Sequence, residues 1–232
     1  MKIGIIGAGQ IGGNLTRRLA ALGHKVFVAN SRGPDTLSDL AAETGATAVS
    51  VPEAVRGVDL VVVTIPMKNI PSLPAGLFAE TPDRVVVVDT GNYYPRQRDG
   101  RIEAIEAGLP ESQWVAQQLG RPAIKAFNNI YARHLLESGR PKGTPGRIAL
   151  PVSGDDQAAK AMVLKLVDEL GFDGVDAGGL MSPGGNIPAR QSMPKIMTPR
   201  VCGVLFPRQA KSVDQSGAAP RTALVVSPHL LE

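Results

Sequence analysis

The feature that most constrains the fold is a cluster of glycines near the start of the chain, in the stretch "GIIGAGQIGG". Gly7, Gly9 and Gly12 have G-x-G-x-x-G spacing. They follow the apolar run "KIGII" and lead into an amphipathic stretch that begins at Gln10. This order predicts a strand, a tight turn and a helix. The first glycine makes the turn, the second lets a phosphate approach the backbone, and the third allows close helix–strand packing. The stretch therefore predicts a binding site for the pyrophosphate of a dinucleotide.

Short runs rich in Val and Ile alternate with helical stretches over residues 1–180. Strands are predicted at "KIGII", "KVFVAN", "ATAVS", "DLVVVTIP", "RVVVVDTGN", "PAIKAFNNI", "GRIALPVSG" and "FDGVDAGG". Consecutive β-branched residues are typical of strands buried on both faces, as in a parallel sheet covered by helices. The alternation predicts an α/β fold with a Rossmann-type doubly wound, mainly parallel sheet.

The stretch "VFVANSRGPDT" ends the second predicted strand and bears on the choice of dinucleotide. In an NAD site an acidic residue at this point accepts hydrogen bonds from the ribose 2′-hydroxyl. Here Asn30, Ser31 and Arg32 occupy the strand end, and no carboxylate occurs between Lys25 and Pro34. Ser31 can donate to phosphate oxygens, and Arg32 can pair with a phosphate or stack on adenine. The pattern predicts NADP(H) rather than NAD, with a solvated polar loop as the alternative.

Two further strand ends, "TIP" and "KAFNN", are candidates for the nicotinamide half of the cofactor. Ligands bind at the carboxyl ends of strands in open α/β sheets. Thr64 and Asn128 can bond the ribose or the carboxamide there, or they can cap turns. No His, Cys or paired-carboxylate group stands out, so we predict neither a catalytic side chain nor a metal site. His24 lies in a Gly-His-Lys turn and is predicted to be solvated. Transfer of a hydride needs no general acid or base from the protein.

Composition restricts the partners. The chain is 43% hydrophobic and 20% charged, which fits a globular protein with a full core. Its net charge of +4 is carried entirely by residues 181–232, so no basic face is built into the fold and nucleic acid is not expected. No apolar run approaches the roughly 20 residues of a membrane span. The N-terminus lacks a leader pattern, and Cys202 is the single cysteine, which excludes an internal disulfide. We expect a cytoplasmic protein.

The stretches "GIIGAGQIGGNLTRRLAALGHKVFVANSRGP", "VVVTIP", "KAFNNI" and "DAGGL", in this order, resemble the NADP oxidoreductases that depend on coenzyme F-420, a deazaflavin. The same stretches resemble the cytosolic NADPH-oxidising domain of the STEAP metalloreductases. The match spans residues 1–180 and rests on the combination of "SR", "TIP" and "KAFN" rather than on the glycines. It implies NADP in the cleft and direct hydride exchange between nicotinamide C4 and a deazaflavin or an ordinary flavin.

The resemblance also assigns cofactor-binding roles to individual residues. The phosphates are assigned to Gly7, Gly9, Gln10, Ile11 and Gly12. The 2′-phosphate is assigned to Ser31 and Arg32, with Asn30 beside them, and the nicotinamide side to Thr64, Pro66 and Asn128. In the family a C-terminal helix helps to close the substrate side and to form a homodimer.

Residues 181–232 differ in character from the NADP-binding domain predicted for residues 1–180. They contain seven prolines and no sustained helical or strand period, so we predict an irregular, basic extension. In the family "DAG-L" is usually followed by a segment like "ESW-Q--PGTP-Y". With permitted codons, a frame that discards the first two bases of the Met181 codon reads "ESWRQYPGTPEYAKDYDAAGVRRALSAA", which restores that pattern. We therefore hypothesise that residues 181–232 are an out-of-frame translation, with a divergent Pro-rich tail as the alternative.

These observations together predict an NADP(H)-dependent oxidoreductase that exchanges a hydride between nicotinamide and a deazaflavin or flavin acceptor. Two alternatives stay open: an NADP(H)-binding sensor without turnover, and a reductase of small imines or hydroxy acids. The expected partners are a small-molecule redox acceptor and a second copy of the chain, with no nucleic acid and no membrane.

Overall fold

The computed structural model of the chain describes residues 1–180, which contain eight strands and seven α-helices. The strands are β1 (Lys2–Ile6), β2 (Lys25–Ala29), β3 (Thr47–Ala48), β4 (Leu60–Val63), β5 (Val86–Asp89), β6 (Ile124–Lys125), β7 (Ala149–Val152) and β8 (Asp173–Asp176). The α-helices are α1 (Gln10–Ala21), α2 (Ser38–Thr44), α3 (Val51–Ala54), α4 (Glu103–Glu106), α5 (Glu111–Leu119), α6 (Ala132–Glu137) and α7 (Gln157–Glu169).

The main sheet has six parallel strands in the order β3-β2-β1-β4-β5-β6. This is the strand order of a doubly wound dinucleotide-binding fold, so the α/β, Rossmann-type prediction is confirmed. The order reverses between β1 and β4. In open parallel sheets the ligand cleft lies at the carboxyl ends of the strands beside such a reversal.

Both faces of the sheet are buried, which explains the runs of consecutive valines. In β4, Leu60 and Val62 belong to a cluster that includes Leu15 of α1. Val61 and Val63 belong to a second cluster on the other face, with Trp114 of α5. Because successive residues of a strand point to opposite faces, a strand covered on both sides needs apolar residues without interruption.

The strands β7 and β8 pair with each other in a separate two-stranded parallel sheet. The sequence predicted both strands but not their separation from the main sheet. An antiparallel bridge joins the two sheets: the Lys125 N–H donates to the Ser153 carbonyl (2.8 Å), and the Ser153 N–H donates back (3.0 Å). The buried Arg147 donates to the carboxylates of Asp168 (2.8 Å) and Asp173 (2.6 Å), and so links the end of α7 to the start of β8.

Several short elements were not predicted. They are α3, α4, a 3₁₀ turn over Met67–Ser72 and a π turn over Pro95–Asp99. Each covers four to six residues, which is too few for a helical period to emerge from the pattern of apolar residues. They lie between the longer elements along the chain.

The prediction that His24 is solvated is wrong. The His24 side chain is only 10% exposed, and its Nε2 lies 3.2 Å from a carboxylate oxygen of Glu169 in α7. Its Nδ1 lies 3.2 Å from the amino group of Met1. The residue is covered because a helix about 145 positions later in the chain packs over this turn, and local sequence does not encode that contact.

The predictions for residues 181–232, the irregular extension and its origin in a shifted reading frame, lie outside the described residues. Of the helices found within residues 1–180, none is both long enough and apolar enough to cross a lipid bilayer.

Candidate functional site

The N-terminus of α1 is open to an anion. The chain leaves β1 through Gly7, whose φ of 110° is a conformation that residues with a side chain rarely adopt. Gly9 is the N-cap residue, no side chain caps the first turn, and no acidic residue lies in it. The first N–H groups of a helix lack acceptors within the helix, and the dipole makes that end positive. This turn therefore fits a phosphate.

The three glycines differ in the space that surrounds them, and this difference indicates different roles. A Cβ added to Gly12 would lie 1.8 Å from the Gly7 carbonyl oxygen, and one added to Gly7 would lie 2.4 Å from the Thr64 carbonyl oxygen. Both glycines are thus required by the contact between α1, β1 and β4. A Cβ on Gly9 would meet nothing within 4 Å. The space in front of Gly9 is open at the helix end, where the pyrophosphate of a dinucleotide would lie.

The loop after β2 is folded by Asn30 and presents its neighbours to solvent. The Asn30 amide donates to the Thr36 hydroxyl (2.8 Å) and accepts from the Arg32 N–H (2.9 Å). The Thr36 hydroxyl in turn donates to the Gly33 carbonyl (2.8 Å). Ser31 and Arg32 are exposed, and the Arg32 guanidinium makes no salt bridge to any residue in the described part of the chain. Asn30 shapes the turn, and the free hydroxyl and guanidinium are available to a phosphate.

The end of β4 lies against the glycine turn. The Thr64 N–H donates to the Ile6 carbonyl (2.9 Å), which continues the pairing of β4 with β1. A Cβ on Gly12 would lie 2.6 Å from Cγ2 of Thr64, so this methyl group packs directly on α1. Thr64 and Pro66 are half-buried, and Pro66 leads into the 3₁₀ turn. The structure thus brings Thr64 together with Gly7 and Gly12.

The end of β6 has a strained backbone. Phe127 has a φ of 61°, a left-handed value that is uncommon for an aromatic residue, and its side chain is buried. Asn128, which follows, is paired with Asn92 from the loop after β5. The Asn92 amide donates to the Asn128 carbonyl (2.8 Å), and the Asn128 amide donates to Asn92 Oδ1 (3.3 Å). Strain of this kind is concentrated at functional sites.

A buried group of charges lies below these loops. The ammonium group of Lys125 is 2.9 Å from an Asp89 carboxylate oxygen and 3.8 Å from one of Glu111, and it donates to the Gly91 carbonyl. Ser112 donates to the same Asp89 oxygen (3.1 Å). Burial raises the pKa of Glu111, although the nearby Lys125 ammonium opposes the change. We call Asp89, Glu111 and Lys125 the buried charge cluster.

A second carboxylate, Asp99, ties the loop after β5 to the turn after β4. It accepts from the N–H groups of Tyr94 (2.9 Å) and Lys68 (3.4 Å) and from the Arg98 guanidinium (2.9 Å). Burial alone would raise the pKa of Asp99, but these bonds outweigh it and the pKa is lowered. The loop that carries Asn92 is therefore held from two sides.

Sequence reasoning missed Asn92 and the buried charge cluster. Asp89, Asn92 and Lys125 stand at the ends of predicted strands, in "VVVVDTGN" and "AIKAFNN". The strand-end rule that selected Thr64 and Asn128 therefore also applies to them. The structure joins Asn128 to Asn92 rather than to the glycine turn. Within residues 1–180, no group of three or more His, Cys, Asp or Glu could hold a metal ion.

Residues 2–93 match the family described as NADP oxidoreductase, coenzyme F420-dependent. This range contains the glycine turn, the loop after β2, the end of β4 and Asn92, but not Asn128.

Several solved structures share the fold. A hypothetical protein of Sinorhizobium meliloti is 29% identical with a TM-score of 0.67, and the match covers 84% of this chain and 92% of that one. A candidate F420-dependent NADP reductase of Arthrobacter sp. FB24 is 24% identical with a TM-score of 0.66, covering 80% and 88%. A reductive aminase of Aspergillus terreus, solved with NADPH and ethyl levulinate, is 16% identical with a TM-score of 0.54, covering 79% and 57%. The last two likenesses concern the fold alone. The match over residues 2–93 agrees with the resemblance that the sequence motifs indicated, to the coenzyme F420-dependent NADP oxidoreductases.

Proposed function

We propose that this protein exchanges a hydride between NADP(H) and a deazaflavin or flavin acceptor. The observation that carries the proposal is the loop after β2. It presents an exposed hydroxyl, and a guanidinium that has no salt bridge within residues 1–180, where an NAD-binding protein has a carboxylate. Arg32 would pair with the 2′-phosphate and Ser31 would donate to it, so the loop favours NADP(H) over NAD(H).

Each part of the site has a role in this proposal. The N–H groups at Gln10, Ile11 and Gly12 would bind the pyrophosphate in the open space before Gly9. Thr64, Pro66 and Asn128 would contact the nicotinamide half from the ends of β4 and β6. Their tasks are to orient the ring and to keep water away from it.

When bound, NADP(H) would supply the chemistry, a hydride at nicotinamide C4 for the acceptor, which would also take up one proton from solvent. The side chains of the protein need not gain or lose a proton in this exchange. The part of the protein would be to hold the two partners in position for the transfer, with Thr64, Pro66 and Asn128 on the nicotinamide side.

The test compares NADPH and NADH as hydride donors to coenzyme F420, FMN and FAD. The loss of reduced nicotinamide is the quantity that is measured. We expect turnover with NADPH and at least one of these acceptors, and much slower turnover with NADH. Equal rates with both donors would contradict the role of the loop after β2.

The same assay separates the alternatives. Tight binding of NADPH without turnover on any of the three acceptors would favour a sensor. Turnover only with small imines or hydroxy acids would favour the third class, whose members share this fold at 16% identity. This chain spans 56–59% of the lengths of those relatives.

A further inference from the structure

The side-chain amides of Asn92 and Asn128 join the loops after β5 and β6 by two hydrogen bonds, and we call this pair of residues the clasp. Asn92 Nδ2 donates to the main-chain carbonyl of Asn128, and Asn128 Nδ2 donates to Asn92 Oδ1. One bond fixes the backbone of Asn128 and the other fixes its amide plane. An asparagine amide has one acceptor oxygen and two donor hydrogens. In the clasp the Oδ1 of Asn128 is left without a hydrogen bond to any residue of 1–180, and it is not sealed from solvent.

The buried charge cluster holds the Asn92 side of the clasp. Asp89 accepts from the Gly91 N–H (2.8 Å), while Lys125, itself paired with Asp89, donates to the Gly91 carbonyl. The main-chain carbonyl of Asn92 itself accepts a hydrogen bond from the Arg98 guanidinium. The main chain on both sides of the Asn92 side chain is therefore bonded to charged groups. Such charge-assisted bonds are stronger than bonds between neutral groups.

The backbone before Asn128 restricts the other side of the clasp. Phe127 holds its left-handed φ of 61° although its side chain is buried among core residues. A backbone in this region persists only where its surroundings hold it. The strained φ of Phe127 and the two amide bonds of Asn128 thus act on adjacent residues, and together they select one orientation of Asn128.

From these observations we propose that Asn92 is a positioning residue, which orients Asn128 so that Oδ1 of Asn128 accepts a hydrogen bond from the nicotinamide half of the cofactor. The donor would be the carboxamide NH₂ or a ribose hydroxyl. The inference rests on the proposed function, in which Asn128 lies on the nicotinamide side. Asn92 itself contacts Asn128 and not the cofactor, so its effect on binding must pass through Asn128.

The test compares two ligands that differ at the nicotinamide end. NADPH carries both halves, while 2′,5′-ADP carries the adenine end and the 2′-phosphate without a nicotinamide. We expect Asn92→Ala to weaken NADPH binding about fivefold, the loss for one hydrogen bond between neutral groups, and to leave 2′,5′-ADP binding unchanged. We expect the same split for Asn128→Ala. The double variant should bind NADPH no more weakly than Asn128→Ala alone, because the two residues act in series.

The controls keep the outcome interpretable. Gln97→Ala changes an exposed residue of the same loop and should leave both affinities unchanged. If Asn92→Ala does not fold, Asn92→Asp keeps the oxygen that accepts from Asn128 and loses the donor, and it should show the same split. Equal weakening of both ligands, an unchanged NADPH affinity, or additive losses in the double variant would overturn the proposal. A wild-type protein that binds neither ligand would instead contradict the proposed function, and with it this inference.

Discussion

In the proposed function, neighbouring residues of the loop after β2 would have different roles in selecting the cofactor. Asn30 uses both of its amide atoms within the loop, bonding to Thr36 and to the Arg32 N–H. That arrangement makes the turn but leaves the Arg32 guanidinium exposed and unpaired within residues 1–180. A cation without an internal partner does not have to break a bond before it binds a phosphate. Selectivity should therefore depend on Arg32, and loop shape on Asn30.

Replacement of Arg32 by Ala should weaken NADPH binding by about 1.5–3 kcal/mol, which is about a tenfold to hundredfold change, because a charge-assisted bond to the 2′-phosphate is lost. NADH has no such phosphate, so its affinity should stay unchanged. Titration of the variant with both nucleotides checks this. Arg96→Ala, which removes another exposed cation, is the matched control. Equal losses for NADPH and NADH would refute the assignment.

Replacement of Glu111 by Gln should change the pH dependence of stability. Burial raises the pKa of Glu111 in the folded state, so this carboxyl favours folding below its ordinary pKa of 4.5, and that contribution is lost as pH rises through the raised value. The free energy of unfolding of Glu111→Gln should therefore increase relative to wild type as pH rises from acid to neutral. Urea unfolding of both proteins at several pH values measures the difference. A difference independent of pH would contradict the prediction.

At the scale of elements, the carboxyl ends of the strands carry the site while the elements themselves can be very short. β6 has only two residues, yet its end holds Lys125, the strained Phe127 and Asn128. The start of α1, which belongs to the proposed site, likewise offers backbone N–H groups rather than side chains. Substitutions at such places can change binding and stability separately, because the atoms that face the ligand differ from those that pack.

Substitutions at Gly9 and Gly12 allow effects on stability to be measured separately from effects on NADPH binding. Gly12→Ala places a Cβ 1.8 Å from the Gly7 carbonyl oxygen, so the backbone must move, and the free energy of unfolding should fall by about 2–3 kcal/mol. Gly9→Ala places its Cβ in open space and should cost less than about 1 kcal/mol. We nevertheless expect Gly9→Ala to weaken NADPH binding at least about tenfold, since the methyl group occupies the pyrophosphate space. Chemical unfolding and NADPH titration test the pair, and unchanged NADPH affinity in Gly9→Ala would remove Gly9 from the site.

Sequence patterns predicted the elements well where neighbours along the chain decide the structure. The three glycines, the Val-rich strands and the polar end of β2 are local signals, and each predicted strand forms. What the patterns did not predict depends on partners far apart in sequence. Asp89 and Lys125 are separated by 36 positions, as are Asn92 and Asn128, and none of these pairs has a local signature. The burial of His24 and the separation of β7 and β8 from the main sheet were not predicted for the same reason.

At the scale of the whole molecule, the Arg18 side chain links α1 to α6 and α7 on one side of the sheet. Arg18 donates to the carbonyls of Leu135 (3.2 Å) and Leu136 (3.0 Å) in α6 and to that of Leu170 (2.7 Å) at the end of α7. A guanidinium at the carboxyl ends of two helices pairs with their unsatisfied carbonyls and opposes their negative dipole ends. The site residues of α1 are thereby tied to the last helix of the described chain.

Removal of this link should destabilise the protein without changing the cofactor site. We expect Arg18→Ala to lower the free energy of unfolding by about 2 kcal/mol, because several charge-assisted bonds are lost and partly buried carbonyls are left without their donor. Arg133→Ala, which removes an exposed pair with Glu137 on α6, should change stability by less than about 0.5 kcal/mol. Urea unfolding monitored by circular dichroism distinguishes the two variants. Similar effects would show that Arg18 is not a structural link.

The hypothesis of a shifted reading frame concerns residues 181–232. It predicts that resequencing the coding DNA near the Leu180 codon restores one base, after which the chain continues as "ESWRQYPGTP". A sequence that keeps the present frame, with codons that do not yield this segment when shifted, would refute the hypothesis.

Lys125 takes part in two structures at once. Its backbone forms the bridge to Ser153, and its ammonium group holds the loop of Asn92 through Asp89 and Gly91. The β7–β8 sheet therefore cannot tilt against the main sheet without pulling on the residue that anchors this loop. A molecule that binds to β7 and β8 and changes their position would therefore also change the position of the loop that contacts Asn128. The loop after β2 is four strand positions away from β6 in the main sheet, so it should be less affected.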